Sequence, residues 1–272
     1  MQTEEQIRRR QQAVRNQRIK KLIMITGVSG LVCGFLVGIL ITVLIARNRA
    51  NKVEEAYSQQ IEKKEKQTTD LKDQLSKFQE SREERIKSAK WNMILVNEEY
   101  PLDDSFQVEL ADLEDEYQVD ARIVEDAKEM LKAGRDEGMN LAICSAYRDN
   151  DKQKSVFNQT IFDWLEQDYS YLDAYNETKK SVALPGTSEH ATGLALDIVS
   201  SDYPELDEKQ ANTKEAKWLA DHCAEYGFIL RFPPEKADVT GIIYEPWHYR
   251  YVGKKAAKEI MKEGITLEEY YE

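Results

Sequence analysis

The chain has 272 residues, enough for one medium domain plus accessory segments, and a formal net charge of −12. The charge is uneven: residues 1–21 carry seven Lys or Arg against two acidic residues, 47–90 carry twelve against nine, and 91–272 carry 19 against 39. So acidic a C-terminal body repels a phosphate backbone, which excludes nucleic acid as its partner.

Leu22–Ala46 is a run of 25 residues without a charge. A bilayer core of ~30 Å needs about 20 helical residues, so this segment spans with some tilt. It is longer than the apolar core of a signal peptide, and no Ala-x-Ala cleavage pattern follows it, so it reads as a single retained transmembrane anchor. Arg8, Arg9, Arg10, Arg15, Arg18, Lys20 and Lys21 precede it and place the tail, 1–21, in the cytoplasm. Arg47, Arg49 and Lys52 soften that bias without reversing it, and everything after residue 46 is then outside the cell membrane. Gly30, Gly34 and Gly38 share one helix face, a small-residue spacing through which a homodimer could form. Cys33, within the span, carries no expected role.

Residues 47–90 read as a helical stalk, rich in Glu, Lys, Gln and Arg and free of Gly and Pro. Val53, Tyr57 and Ile61, then Leu71, Leu75, Phe78 and Ile86, recur at helical spacing, and Lys63–Asp70 interrupts the seam. The pattern fits either a coiled coil, a second route to a homodimer, or a solvated helix. As a helix it would reach about 65 Å from the membrane.

The globular domain is expected over 91–272. Asn92–Asn97 reads as a strand, and Ala121–Glu137 as a helix capped by Asp120 and ended by Gly138. Leu141–Cys144 reads as a strand, and a second helix starts near Asp151 with Val156, Phe157, Ile161, Trp164 and Leu165 inward. Leu184–Thr187 is a turn, and the alternation over Leu194–Val199 suits a strand. Thr213 caps a third helix that Gly227 ends. Strands are expected at 228–232, 242–245 and 249–252, and a last helix at Lys254–Glu263. Helices and strands mix without regular βαβ alternation, so the class is α+β. Cys144 falls in a strand and Cys223 on an apolar helix face, which reads as two free core thiols rather than a disulfide.

The chain holds three histidines. Two lie beside carboxylates, in Ser188-Glu189-His190-Ala191-Thr192-Gly193-Leu194-Ala195-Leu196-Asp197 and in Glu245-Pro246-Trp247-His248. Two neutral imidazoles and one carboxylate make a three-ligand zinc site with a fourth position open to water, and a second carboxylate can take a proton from that water. His190, Asp197 and His248 fit the ligand roles, and Glu245 fits the base. Pro246 keeps the second segment from being helical, so it is no HExxH motif. His222, on the surface of the third helix, has no expected metal role.

These segments, with Ser145-Ala146-Tyr147-Arg148 and Gln153, Pro185-Gly186-Thr187, Gly227-Phe228-Ile229-Leu230-Arg231-Phe232 and Tyr249-Arg250-Tyr251-Val252-Gly253, resemble the D-alanyl-D-alanine carboxypeptidases of the VanY type (peptidase family M15, subfamily B, the LAS-type zinc peptidases). The resemblance runs from Trp91 to Tyr270. It implies a Hedgehog/DD-peptidase-like domain, a small antiparallel sheet flanked by helices. It also implies Zn2+ held by His190, Asp197 and His248, with Glu245 as base and Arg148 on the substrate side. A guanidinium there would clamp the substrate's terminal carboxylate or stabilise the tetrahedral oxyanion. Ser188 and Gln153 are the further substrate contacts it suggests. The substrate would be a peptidoglycan stem peptide, trimmed from a pentapeptide (D,D) or a tetrapeptide (L,D). The reading from another class is a non-catalytic zinc or wall-peptide sensor.

Overall fold

The computed structural model describes residues 4–272, so the first three residues of the basic tail lie outside the described residues. The chain divides into two compact units between Lys77 and Phe78. A single helix, α1 (Glu4–Lys87), takes in the basic segment, the apolar run and the stalk sequence without a break. No proline interrupts it, and its apolar run is long enough to cross a membrane. Gly30, Gly34 and Gly38 have open space where a Cβ would stand.

The second unit begins inside that helix, earlier than the expected boundary at residue 91. Ile86 is buried in one apolar cluster with Leu95, Ile260, Leu267 and Tyr271, and Glu83 accepts a hydrogen bond from the Tyr100 hydroxyl at 2.8 Å. The last turns of the stalk sequence are therefore packed, not solvated.

A hairpin of β1 (Leu110–Glu114) and β2 (Tyr117–Asp120) leads into α2 (Val124–Asp136) and β3 (Leu141–Ser145). Two helices follow, α3 (Asn150–Leu165) and α4 (Tyr171–Ser181), joined by a small core of Phe157, Ile161 and Ala174. Then come β4 (Ala195–Ser200), α5 (Lys214–His222), β5 (Phe228–Leu230), α6 (Ala237–Thr240), β6 (His248–Tyr251), α7 (Lys254–Glu263) and α8 (Leu267–Tyr270). The central sheet has the order β3-β4-β6-β5 and is antiparallel throughout.

The two-residue period of the strands sorts their side chains. Leu141, Ile143, Leu196, Ile198, Phe228, Tyr249 and Tyr251 join the main core with Met130 and Leu131 of α2 and Trp218 and Leu219 of α5. The intervening residues Asp197, His248 and Arg250 point to the other face, where they are also buried. That second face carries the chemistry.

Several local expectations need correction. Asn92–Asn97 is not a strand, because the carbonyls of Asn92 and Ile94 accept from the Arg250 side chain instead of a ladder. Ile242–Glu245 is not a strand either: Ile243 N–H donates to Lys180 and Glu245 N–H to Phe232, two unrelated partners. Asp120 does not cap α2; its carboxylate accepts from the backbone and side chain of Arg122. The third helix stops at His222 and finishes as a 3-10 turn over Cys223–Tyr226, although Thr213 caps it and Gly227, at φ +88°, ends it as expected. Cys144 and Cys223 are free thiols.

Candidate active site

Asp197 in β4 and His248 in β6 are directly paired across the sheet, and His190 arrives from the 3-10 turn Glu189–Thr192 that precedes β4. That turn closes on Gly193, whose φ of +71° suits glycine. A Cβ there would stand 2.7 Å from the Asp120 backbone nitrogen, while Asp120 N–H donates to the Gly193 carbonyl. The β1–β2 hairpin thus braces the segment between two of the predicted ligands. At the other segment, Pro246 follows Glu245 in a turn closed by the His248 N–H on the Glu245 carbonyl. Proline at this position presets the turn, so the acid and the histidine are delivered together.

One potential donor atom from each of His190, Asp197 and His248 lies within 4.8 Å of the others. His190 Nε2 is 3.2 Å from Asp197 Oδ2, and His248 Nδ1 is 3.0 Å from Asp197 Oδ1. His190 Nδ1 donates to the Ala146 carbonyl at 2.7 Å, because a carbonyl only accepts, and this leaves Nε2 as the free lone pair. Asp197 Oδ1 is buried without a hydrogen bond despite its short distance to His248. Buried acceptor atoms converging on one point, one of them unsatisfied, fit a divalent cation, and the two-nitrogen, one-carboxylate set fits zinc.

The electrostatics agree. For Asp197, burial works to raise the pKa, but His190 and His248 outweigh it and leave the carboxyl well below its usual range. Burial lowers His190. For His248, burial is outweighed by the nearby carboxylates of Asp197 and Glu189, which push it up to about 9. Glu245 is the opposite case, a carboxylate that burial raises to about 8. Its Oε2 lies 3.9 Å from His248 Nδ1. Two acids with opposite shifts side by side suit one that holds a cation and one that exchanges a proton.

A cavity of about 940 Å3 opens over these groups, lined by Arg148, Ser188, His190, Asp197, Glu245 and His248 among others. Arg148, on the strand-to-helix connection after β3, is held by its N–H on the His190 carbonyl. Its guanidinium is desolvated, which lowers its pKa, and it interacts with the charges of Asp197 and Glu245. Gln153 is not on the wall: it is fully buried in α3, and its amide donates to the Ala183 carbonyl at 2.6 Å. It tethers the segment that leads to Ser188, and its Oε1 is buried without a hydrogen-bond partner. His222 stacks on Trp218 at 4.6 Å, away from the cavity.

Comparison with known proteins decides the family. The model of VanY, D-alanyl-D-alanine carboxypeptidase, matches residues 116–254, just over half of the chain. The chain belongs to the VanY family. Among its relatives is a D-alanyl-D-alanine carboxypeptidase of Enterococcus faecalis (strain ATCC 700802 / V583), 36% identical over 66% of this chain and 65% of that protein. The match thus spans slightly less than two thirds of that enzyme's length. A mutant of the vancomycin resistance D,D-pentapeptidase VanY from a VanB-type cassette, solved in complex with Zn(II), superposes with a TM-score of 0.62 at 35% identity, covering 67% of this chain and all of that one. The LD-carboxypeptidase LdcB superposes with a TM-score of 0.56 at 39% identity, over 66% of this chain and 86% of that one. The expected VanY-type fold is borne out, and the zinc complex agrees with the donor set here.

Within this VanY-family site, sequence reasoning gave no role to Glu189, Arg231, Arg250 and Glu268. All four are buried and joined by ion pairs of 2.6–2.8 Å behind His248. Arg250 could have been noticed, since it lies two residues after His248 and so shares its strand face.

Proposed function

We propose that this chain is a membrane-anchored zinc D,D-carboxypeptidase that removes the C-terminal D-alanine from peptidoglycan stem peptides. The observation that carries the reading is the convergence of His190, Asp197 and His248 beside Glu245 and Arg148 on the wall of one open cavity. His190 Nε2, a carboxylate oxygen of Asp197 and His248 Nδ1 would hold the metal. When bound, zinc supplies a Lewis acid for the scissile carbonyl and lowers the pKa of water towards ~7.

Glu245 accepts a proton from the attacking water and returns it to the amine of the leaving D-alanine. Burial, which already raises this carboxyl, suits it to gaining and losing a proton near neutrality. Arg148 fixes the anionic end of the reaction, the terminal carboxylate or the developing oxyanion, with charge-assisted hydrogen bonds in a partly desolvated site. Ser188, nearly fully buried on the same wall, positions the substrate backbone.

The apolar run of α1 anchors the protein, with the basic tail in the cytoplasm and the second unit outside, where stem peptides lie. The resemblance to LdcB supports a second reading, L,D-carboxypeptidase activity on tetrapeptide stems. Incubating the full-length protein in detergent micelles with each stem peptide and weighing the products tests both. Loss of one D-alanine from the pentapeptide supports the D,D reading. Trimming of the tetrapeptide alone supports the L,D reading, and binding without product would leave only a sensor.

A further inference from the structure

His248 and Arg250 share one face of β6, and both lead to a single buried carboxylate. Glu189 Oε1 accepts from Arg231 Nε at 2.8 Å and from Arg250 Nη1 at 2.6 Å, so the group is held from two sides. Its other oxygen, Oε2, lies 3.5 Å from His248 Nε2, the outer limit of a hydrogen bond. Neither of those two atoms makes a hydrogen bond, although Glu189 is 3% and His248 4% exposed. A buried acceptor and a buried ring nitrogen facing each other are each left unsatisfied unless they share a proton.

We propose that Glu189 is the positioning residue of His248. Its Oε2 accepts a hydrogen bond from Nε2–H, which fixes the ring and leaves the Nδ1 lone pair turned to the Asp197 side. The inference rests on the metal-site reading above and adds the group that orients one of its ligands. His190 is oriented differently, by the Ala146 carbonyl on Nδ1. The two rings are thereby held in opposite tautomers, at 89° to each other with centroids 5.0 Å apart. A carbonyl serves one ring and a full negative charge serves the other, which makes His248 the more basic donor.

An isolated carboxylate could not be kept there ionised. The guanidinium groups of Arg231 and Arg250, bonded to its Oε1 at 2.8 and 2.6 Å, supply the positive charge that compensates it. Each arginine is satisfied in turn. Arg231 donates two bonds to Glu268 in α8, at 2.7 and 2.8 Å, and Asn97 donates to the same carboxylate at 3.2 Å. Arg250 donates to the Ile94 carbonyl at 2.7 Å. Two arginines against two glutamates make a neutral, closed network. The orientation of His248 is thus tied to the 92–97 segment and to the C-terminal helix.

The test is zinc affinity, measured by competition with a chromophoric chelator on the full-length chain in detergent micelles. Wild type, Glu189→Gln and Glu268→Gln are compared, together with the Tm of each metal-free protein. Glu268→Gln damages the same network at its far end without touching His248. Both variants should lower the metal-free Tm, but zinc affinity should fall about 10–100-fold in Glu189→Gln and only about threefold or less in Glu268→Gln. Equal losses of zinc affinity would overturn the inference, and a wild type that takes up no zinc would overturn the metal reading with it. If Glu189→Gln does not fold, Glu189→Asp keeps the charge for the arginines and draws it back from the ring. It should still lose zinc affinity, and an unchanged affinity would overturn the proposal. With three histidines, 15N-histidine spectra of the zinc-loaded wild type offer an independent readout. His248 should be protonated at Nε2 and His190 at Nδ1; Nδ1 protonation of His248 would also overturn it.

Discussion

Asp197 and His248 occupy opposing positions on β4 and β6, and their side chains meet with Oδ1 3.0 Å from Nδ1 on the face away from the main core. The strand pairing, not a local motif, builds this half of the metal site. Asp197→Asn keeps the shape but replaces one anionic oxygen with an amide nitrogen that has no lone pair to give. Zinc affinity should drop by more than ~100-fold, beyond the loss usual for an outer partner of a metal ligand. A chelator competition titration reads this directly, and a variant that binds zinc like wild type would remove Asp197 from the ligand set.

Glu245 stands next to the ligands, with its carboxylate 3.9 Å from His248 Nδ1, and is assigned to proton transfer. Glu245→Gln should therefore keep zinc while losing about 10²–10⁴-fold in kcat, the usual worth of a positioned general base. Metal content of the purified variant and its turnover on the stem peptide check the two halves separately. Wild-type turnover would exclude Glu245 as the base.

Among the described residues, the other arginines near the site, Arg231 and Arg250, are committed to Glu189 and Glu268. Arg148→Ala should lower kcat/KM by about 10²–10³-fold, as for loss of one donor to a developing anion. Steady-state kinetics on the stem peptide also separate its two roles. A loss confined to KM marks binding of the terminal carboxylate, and an equal loss in kcat and kcat/KM marks oxyanion stabilisation.

The candidate ligands and the proposed base were legible because each sits in a segment whose chemistry is local: a histidine next to a carboxylate, at a turn that glycine or proline defines. What surrounds them was not. Glu189 lies beside His190 in sequence, yet its partners Arg231 and Arg250 come from β6 and the end of β5, so no local pattern pairs them. Asn92–Asn97 carries a short apolar run, Met93 to Val96, that reads as a strand, but Arg250 occupies the carbonyls that a ladder would use. The β1–β2 hairpin went unread because its strands, LADLE and YQVD, are rich in acids that depress strand propensity. Helix α4 is likewise mostly polar, with only Ala174 and Thr178 buried, so periodicity gave little signal. For Gln153 only the fold shows that its Nε2 is bonded to the Ala183 carbonyl while its Oε1 is left without a partner.

Gly193 tests the brace between the hairpin and the site. At φ +71° a side chain is strained, and a Cβ would meet the Asp120 backbone nitrogen at 2.7 Å. Backbone cannot move aside as a flexible side chain can, so Gly193→Ala should destabilise by about 1–3 kcal/mol. For a domain of this size that is a fall in Tm of about 2–12 °C, read by circular dichroism. Because Gly193 lies between His190 and Asp197, zinc affinity should fall too. An unchanged Tm would mean that the hairpin is not held against this turn.

The pH dependence of stability is most readable at Glu114 and Arg135, which lie outside the site. Arg135 Nη1 and Nη2 donate to the two carboxylate oxygens of Glu114 at 2.7 and 2.8 Å, and Nη2 also donates to the Leu141 carbonyl at 3.0 Å. One guanidinium therefore joins β1 and β3 to the end of α2. The hydrogen bonds from Arg135 hold the Glu114 carboxyl below its usual range. A folded pKa below the unfolded value of about 4.3 adds stability that is fully present above that pH, and this stability is lost as the pH falls through the folded value. Both side chains are partly exposed, so the pair is worth little in absolute terms: Glu114→Gln should lower Tm by about 1–4 °C at pH 7. The difference between variant and wild type should shrink as the pH is taken from 5 to 3 and vanish once Glu114 is protonated in both states. Melting curves across that range decide it, and a difference that stays constant with pH would show that the carboxylate charge is not what Arg135 holds.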